Sequence, residues 1–105
     1  MYAIDVHAHV FPDNIADKAV ALLAGEASYP ARGTGTMSDL EQRMDASGVR
    51  ASVLLAVATR VDQVRSINNW IKKRESPRFI PFAALHPADP QLYEEIERVR
   101  ALGFK

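Results

Sequence analysis

The sequence predicts an α/β fold built from parallel β/α units. Three observations carry that expectation: apolar segments with strand character, helical periodicity in the stretches between them, and connections long enough for right-handed crossovers. The first segment, Tyr2 to His9, alternates, with Ile4, Val6, Ala8 and Val10 on one face and Asp5, His7 and His9 on the other. Phe11-Pro12-Asp13 then opens a helix whose apolar stripe is Ile15, Ala19, Leu22 and Leu23, with Gly25 as its expected stop. Glu26 to Met37 reads as a loop, carrying Pro30, Gly33 and Gly35.

Ser38-Asp39-Leu40-Glu41 has the spacing of a capping box, so a short helix is expected from there to about Gly48. Arg50 to Ala58 is apolar on both parities, the pattern of a strand covered on both faces. Val61, Val64, Ile67 and Ile71 recur at helical spacing, and that helix is expected to end before Pro77. Arg78 to Leu85 predicts a third strand, starting in earnest after Pro81 because proline cannot donate to a ladder. Asp89-Pro90 offers an N-cap and first helical position for a last helix through Leu92, Ile96, Val99 and Leu102, stopped at Gly103.

Composition excludes several functions. Thirteen Lys and Arg balance thirteen Asp and Glu, which leaves no electrostatic footprint for nucleic acid or an anionic membrane surface. The absence of cysteine removes disulfides, thiolate metal sites, iron-sulfur clusters and a cysteine nucleophile. The longest apolar runs, Ala19 to Ala24 and Val53 to Ala58, fall far short of the roughly 20 residues that span a bilayer. Asp5, His7 and His9 stand where a signal peptide would be apolar, so a cytoplasmic protein is expected, with no domain boundary inside residues 1–105.

The chemistry concentrates in the first strand. His7 and His9, two apart, project from one face with α-carbons roughly 6.6 Å apart, so both imidazoles can converge on one divalent ion, zinc first among the candidates. Asp5 shares that face and is a candidate acceptor for an imidazole N–H or a group turned toward the barrel interior, between which parity alone does not decide. The alternative is an edge strand on which Asp5, His7 and His9 merely face water while Ile4, Val6 and Val10 pack inward. His86, after the third segment, and Arg32, in the glycine-containing loop, are candidate substrate contacts; the ordinary alternatives are a strand-end turn and a solvated arginine.

Ile4-Asp5-Val6-His7-Ala8-His9-Val10-Phe11-Pro12 resembles the first strand of the amidohydrolase superfamily. The nearer likeness is to its amidohydrolase-related branch, which includes decarboxylases similar to aminocarboxymuconate semialdehyde decarboxylase. The resemblance continues through Met44-Asp45-Ala46-Ser47-Gly48-Val49, Val53-Leu54-Leu55, Asn68-Asn69-Trp70-Ile71 and Phe82-Ala83-Ala84-Leu85-His86-Pro87 with Asp89-Pro90, and so covers essentially the whole chain. It implies the N-terminal part of a TIM (β/α)8 barrel, a fold of about 250 residues. It also implies His7 and His9 as paired metal ligands at the C-terminal ends of the strands, with the remaining ligands and the catalytic residues on later strands.

The function implied is metal-dependent hydrolysis, an activated water attacking an amide or ester of a small molecule. A metal-dependent decarboxylase of the same family is the alternative within the resemblance, and this portion alone is expected to have no turnover. Two further readings stay open. One is another His-x-His barrel chemistry, phosphoester cleavage of the TatD-like or polymerase-and-histidinol-phosphatase kind, which Val10-Phe11-Pro12 fits less well. The other is a noncatalytic segment that self-associates through exposed sheet edges.

Overall fold

The computed structural model describes residues 2–105. The order is β1 (Ala3–Ala8), α1 (Asp13–Ala27), α2 (Met37–Ser47), β2 (Val49–Leu55), a 3-10 turn at Val61–Gln63, α3 (Val64–Lys72), β3 (Phe79–Phe82) and α4 (Leu92–Ala101). The three strands form one parallel sheet in the order β1-β2-β3, which is the α/β class the sequence predicts. Each outer strand is paired on one side only.

Successive strands stepping in one direction by right-handed crossovers place their crossover helices on a single face. The core agrees: Met44 of α2 and Ile71 of α3 share one cluster with Leu54 of β2, Phe79 of β3, and Ala8 and Val10. Ser52, in step with Leu54, is fully buried and donates its hydroxyl to the Met44 sulfur at 3.3 Å. Helix α1 contributes nothing to this cluster, and it is α2 and α3 that pack against strands.

Several boundaries differ from the sequence expectation for local reasons. Helix α2 is capped by Thr36, whose hydroxyl accepts the Asp39 N–H at 3.2 Å; Thr36-x-x-Asp39 carries the cap that Ser38-x-x-Glu41 was expected to supply. Helix α1 runs through Gly25 and ends where Ser28 takes a left-handed conformation at φ 52°. Strand β3 begins before Pro81. The Arg78 and Phe82 carbonyls accept from Ser52 and Ala56, so the ladder uses alternate residues and Pro81 turns its missing donor toward the unpaired edge. Asp89 makes a turn, its carboxylate accepting the Gln91 N–H at 2.8 Å, and α4 starts only at Leu92. Gly48 and Gly103 stop α2 and α4 in left-handed conformations, as the sequence predicts.

Strand β1 carries a register slip. Asp5 pairs with Ser52 and Ala8 with Leu54, so three steps of β1 run beside two of β2. An inserted residue leaves a backbone group out of the ladder. Asp5 answers for it, its carboxylate accepting the His7 N–H at 2.9 Å. The apolar face of β1 is correspondingly split: Ala8 and Val10 are buried, whereas Ile4 and Val6 are 60% and 70% exposed.

The β3 end is held by a buried polar clamp. The Asn68 side chain donates to the Ala84 carbonyl at 2.9 Å and accepts the Ala84 N–H at 2.7 Å, so one amide satisfies both backbone groups of a residue past the strand. The same Asn68 nitrogen donates to Glu95 at 3.0 Å, and Arg98 grips Glu95 bidentately at 2.7 and 2.8 Å. Arg65 adds a second cation at 3.3 Å. Glu95 is fully buried, and the Arg98 hydrogen bonds hold its carboxyl below the ordinary range, against desolvation and with help from Asn68.

A carboxyl depressed in the folded state stabilises above its unfolded value, and that stability is lost as pH falls through the lower folded value. Equilibrium denaturation is therefore expected to show the wild type losing stability as pH drops below about 4.5. Glu95→Gln flattens that dependence. At neutral pH, Glu95→Ala is expected to cost about 2–3 kcal/mol, below the roughly 3–5 kcal/mol of a fully buried pair, because the Arg98 side chain is 30% exposed and can rehydrate.

Candidate metal centre

His7 and His9 stand at the C-terminal end of β1 and turn their rings toward each other. Their Nε2 atoms are 3.0 Å apart, and the ring planes meet at 81° with centroids 4.9 Å apart. His9 Nδ1 lies 3.0 Å from the Leu55 carbonyl at the end of β2. A carbonyl only accepts, so the His9 proton sits on Nδ1 and its Nε2 presents a lone pair toward His7. His7 Nε2 is then the donor between the two rings.

The donor set fits a divalent ion in chemistry and in spacing. Imidazole nitrogens bound at about 2.0–2.1 Å lie about 3.3 Å apart on a tetrahedral ion, so the observed 3.0 Å needs only a small opening. The Leu55 carbonyl fixes tautomer and ring orientation in the manner that metal-ligating histidines use. His7 would have to give up its Nε2 proton. The set stops at two: among the described residues no group of three His, Asp or Glu side chains is gathered where an ion could be held.

Asp5 therefore stands differently from the sequence expectation. It lines the same cavity as the histidines, but its carboxylate accepts the backbone N–H of His7 and not an imidazole N–H. It secures the strand that carries His7, while the imidazole acceptor is Leu55. The edge-strand alternative holds in that β1 is an edge strand, His7 and His9 are exposed and Val10 is buried, and it fails at Ile4 and Val6, which do not pack inward; the histidine rings are nonetheless oriented by hydrogen bonds.

The cavity has a volume of about 800 Å³. Its lining combines polar Asp5, His7, His9 and Arg32 with apolar Val20 and Leu23 of α1 and with Tyr29. The loop bearing Arg32 is fastened to α2: Arg43 donates to the Arg32 carbonyl at 2.6 Å and to Asp39 at 2.8 Å, while Asp39 accepts the Thr34 N–H at 3.0 Å. The Thr34 N–H first, and then Arg43, hold the Asp39 carboxyl below its ordinary value. Asp39 thus braces the loop that places Arg32 on the cavity wall.

Gly35 closes the base of that loop. Its carbonyl accepts the Phe11 N–H at 2.8 Å, its φ is +77°, and an added Cβ would fall 2.5 Å from Val20 Cγ2 and 3.1 Å from Phe11 Cδ2. Only glycine meets both conditions. His86 is not brought to the cavity. Its Nδ1 accepts the Ala88 N–H at 3.2 Å and its carbonyl accepts the Asp89 N–H at 3.0 Å, so the ring completes the turn after β3.

The Leu55 acceptor leaves no mark in a sequence, because it is a backbone group supplied by strand register. A histidine at a strand end still calls for an acceptor on the neighbouring strand, and β2 is where to look.

Two outcomes follow from this geometry. Long-range ¹⁵N NMR at neutral pH is expected to show His9 protonated on Nδ1 and bare on Nε2, and to keep that pattern in His7→Ala; a His9 ring protonated on Nε2 would contradict the arrangement. Gly35→Ala is expected to lower the thermal midpoint by roughly 4–16 °C, the equivalent of about 1–2 kcal/mol in a domain of this size. The chain matches no family model and no curated protein.

Proposed function

We propose that this chain is the N-terminal β/α portion of a barrel-type, metal-dependent hydrolase acting on an amide or ester of a small molecule, and that His7 and His9 are two of its metal ligands. The observation that carries the proposal is the paired Nε2 atoms at 3.0 Å with the His9 tautomer set by Leu55. The strand order supports the barrel: consecutive parallel neighbours with crossover helices on one face are the repeating unit of that fold. So does the position of the pair at the C-terminal strand ends, the end on which such barrels build their sites.

A divalent ion, zinc by ligand preference, would supply a Lewis acid that polarises a carbonyl and acidifies water. The chain's own residues bind and orient. His7 and His9 hold the ion, Leu55 keeps His9 in the tautomer that can ligate, and Asp5 keeps the His7 backbone in place. Arg32 lines the same cavity, and its guanidinium suits a substrate carboxylate. Val20, Leu23 and Ala24 of α1 add apolar surface to the same cavity.

Titration of the purified protein with Zn²⁺, and with Co²⁺ followed by its visible absorption, tests the reading. One ion is expected per chain, with Kd raised at least tenfold in both His7→Ala and His9→Ala, and little change in His86→Ala. Unchanged stoichiometric binding in the first two variants would remove the metal assignment and the hydrolytic chemistry with it.

A further inference from the structure

Five charged or imidazole side chains line the histidine cavity, and four of them are committed to other groups. His7 and His9 face each other, with His9 also on the Leu55 carbonyl, Asp5 accepts the His7 N–H, and Asp39 accepts from Thr34 and Arg43. The fifth is Arg32. Among the described residues its guanidinium makes no hydrogen bond or ion pair, and only its backbone carbonyl is engaged.

That backbone is pinned on both sides of Gly33. Arg43 Nη2 donates to the Arg32 carbonyl at 2.6 Å, and Asp39 Oδ2 accepts the Thr34 N–H at 3.0 Å. The same oxygen accepts from Arg43 Nε at 2.8 Å, which joins the two pins into one. A Cβ at position 33 would fall 2.9 Å from Asp39 Oδ2 and 3.6 Å from Arg43 Nε, so the pins close around a glycine. Arg43 suits the task because its fork sends donors on different nitrogens to different acceptors, which a single ammonium does less rigidly. It stands next to Met44, whose sulfur accepts the buried Ser52 hydroxyl, so the restraint on Arg32 runs back to the sheet. Arg43 itself does not line the cavity.

We propose that Arg43 is a positioning residue for a carboxylate subsite at Arg32, acting on the ligand only through the Arg32 backbone and through Asp39. Holding the loop in place before the ligand arrives lowers the ordering cost of binding. Pairing Asp39 with Arg43 leaves the Arg32 charge for an incoming anion, where an unpaired carboxylate lining the same cavity would compete for it. The proposal rests on the reading of Arg32 as the substrate contact and is independent of the metal.

Benzoate, a carboxylate on an apolar ring, is the probe, titrated into the metal-free protein and followed by NMR at the backbone amides of His9 and Tyr29. Arg32→Ala is expected to raise its Kd roughly fivefold. Arg43→Met removes both donors and is expected to raise Kd roughly threefold when Arg32 is present, with no change in the Arg32→Ala background. An equal loss in both backgrounds, or no loss in either, overturns the positioning role. Should Arg43→Met fail to fold, Gly33→Ala strikes the same link from the loop side and decides by the same comparison. Benzoate bound as tightly by Arg32→Ala as by the wild type, or not bound by the wild type, overturns the Arg32 contact and the positioning role together. Zn²⁺ titration of the histidine variants is a separate measurement, so failure of the metal assignment leaves the benzoate result standing.

Discussion

The Leu55 carbonyl is the contact on which the candidate site depends. At the end of a parallel ladder the next acceptor normally meets a backbone donor or water. Here it meets an imidazole, and that exchange makes His9 a defined tautomer with its lone pair turned inward. The contact exists only because β1 and β2 keep one particular register past the slip, with Ala8 beside Leu54. The slip in turn would leave the His7 N–H unanswered without the Asp5 carboxylate. Three polar residues in one short strand thus do three different jobs, and two of those jobs are invisible to side-chain chemistry alone.

A second device of the same kind holds the end of β3. Asn68 from α3 stands in for a strand partner by pairing with both backbone groups of Ala84, and Glu95 with Arg98 keeps that amide in place. A buried ion pair is seldom a large net source of stability, because desolvation offsets most of the attraction. Its effect here is geometric, since it ties α3, α4 and the exit of β3 into one arrangement. The exits of β2 and β3 are linked to each other by the Ala56 N–H on the Phe82 carbonyl. The clamp therefore braces, at one remove, the strand that carries Leu55.

The alternation of Tyr2 to His9 and the doubly apolar Val53 to Ala58 made the parallel α/β order legible, and the paired histidines were visible from spacing alone. What the sequence could not express was register. Strict alternation assigned Ile4 and Val6 to a buried face, yet both are exposed. It left Asp5 as an imidazole acceptor or a group turned toward the barrel interior, and its carboxylate takes a bulged backbone N–H. Pro81 argued against an early start for β3 only because alternation does not say which side of a strand carries a neighbour. Ser38 offers the same local chemistry two residues after Thr36, but the cap falls where the backbone is extended, at Thr36 with φ −93° and ψ 155°.

Helix α1 shows the deeper limit of periodicity. A stripe at helical spacing states which side of a helix avoids water, but it says nothing of what lies opposite. Ile15, Ala19, Leu22 and Leu23 form such a stripe, and the loop anchored at Gly35 brings it over the strand ends, where it meets a groove. Helices that cover a sheet, such as α2 with Met44, are locked by interdigitation with a row of strand side chains. A helix laid across strand ends meets no such row. Helix α1 therefore lines the space beside the histidines while sharing no residue with the core cluster that fixes α2 and α3 against the sheet.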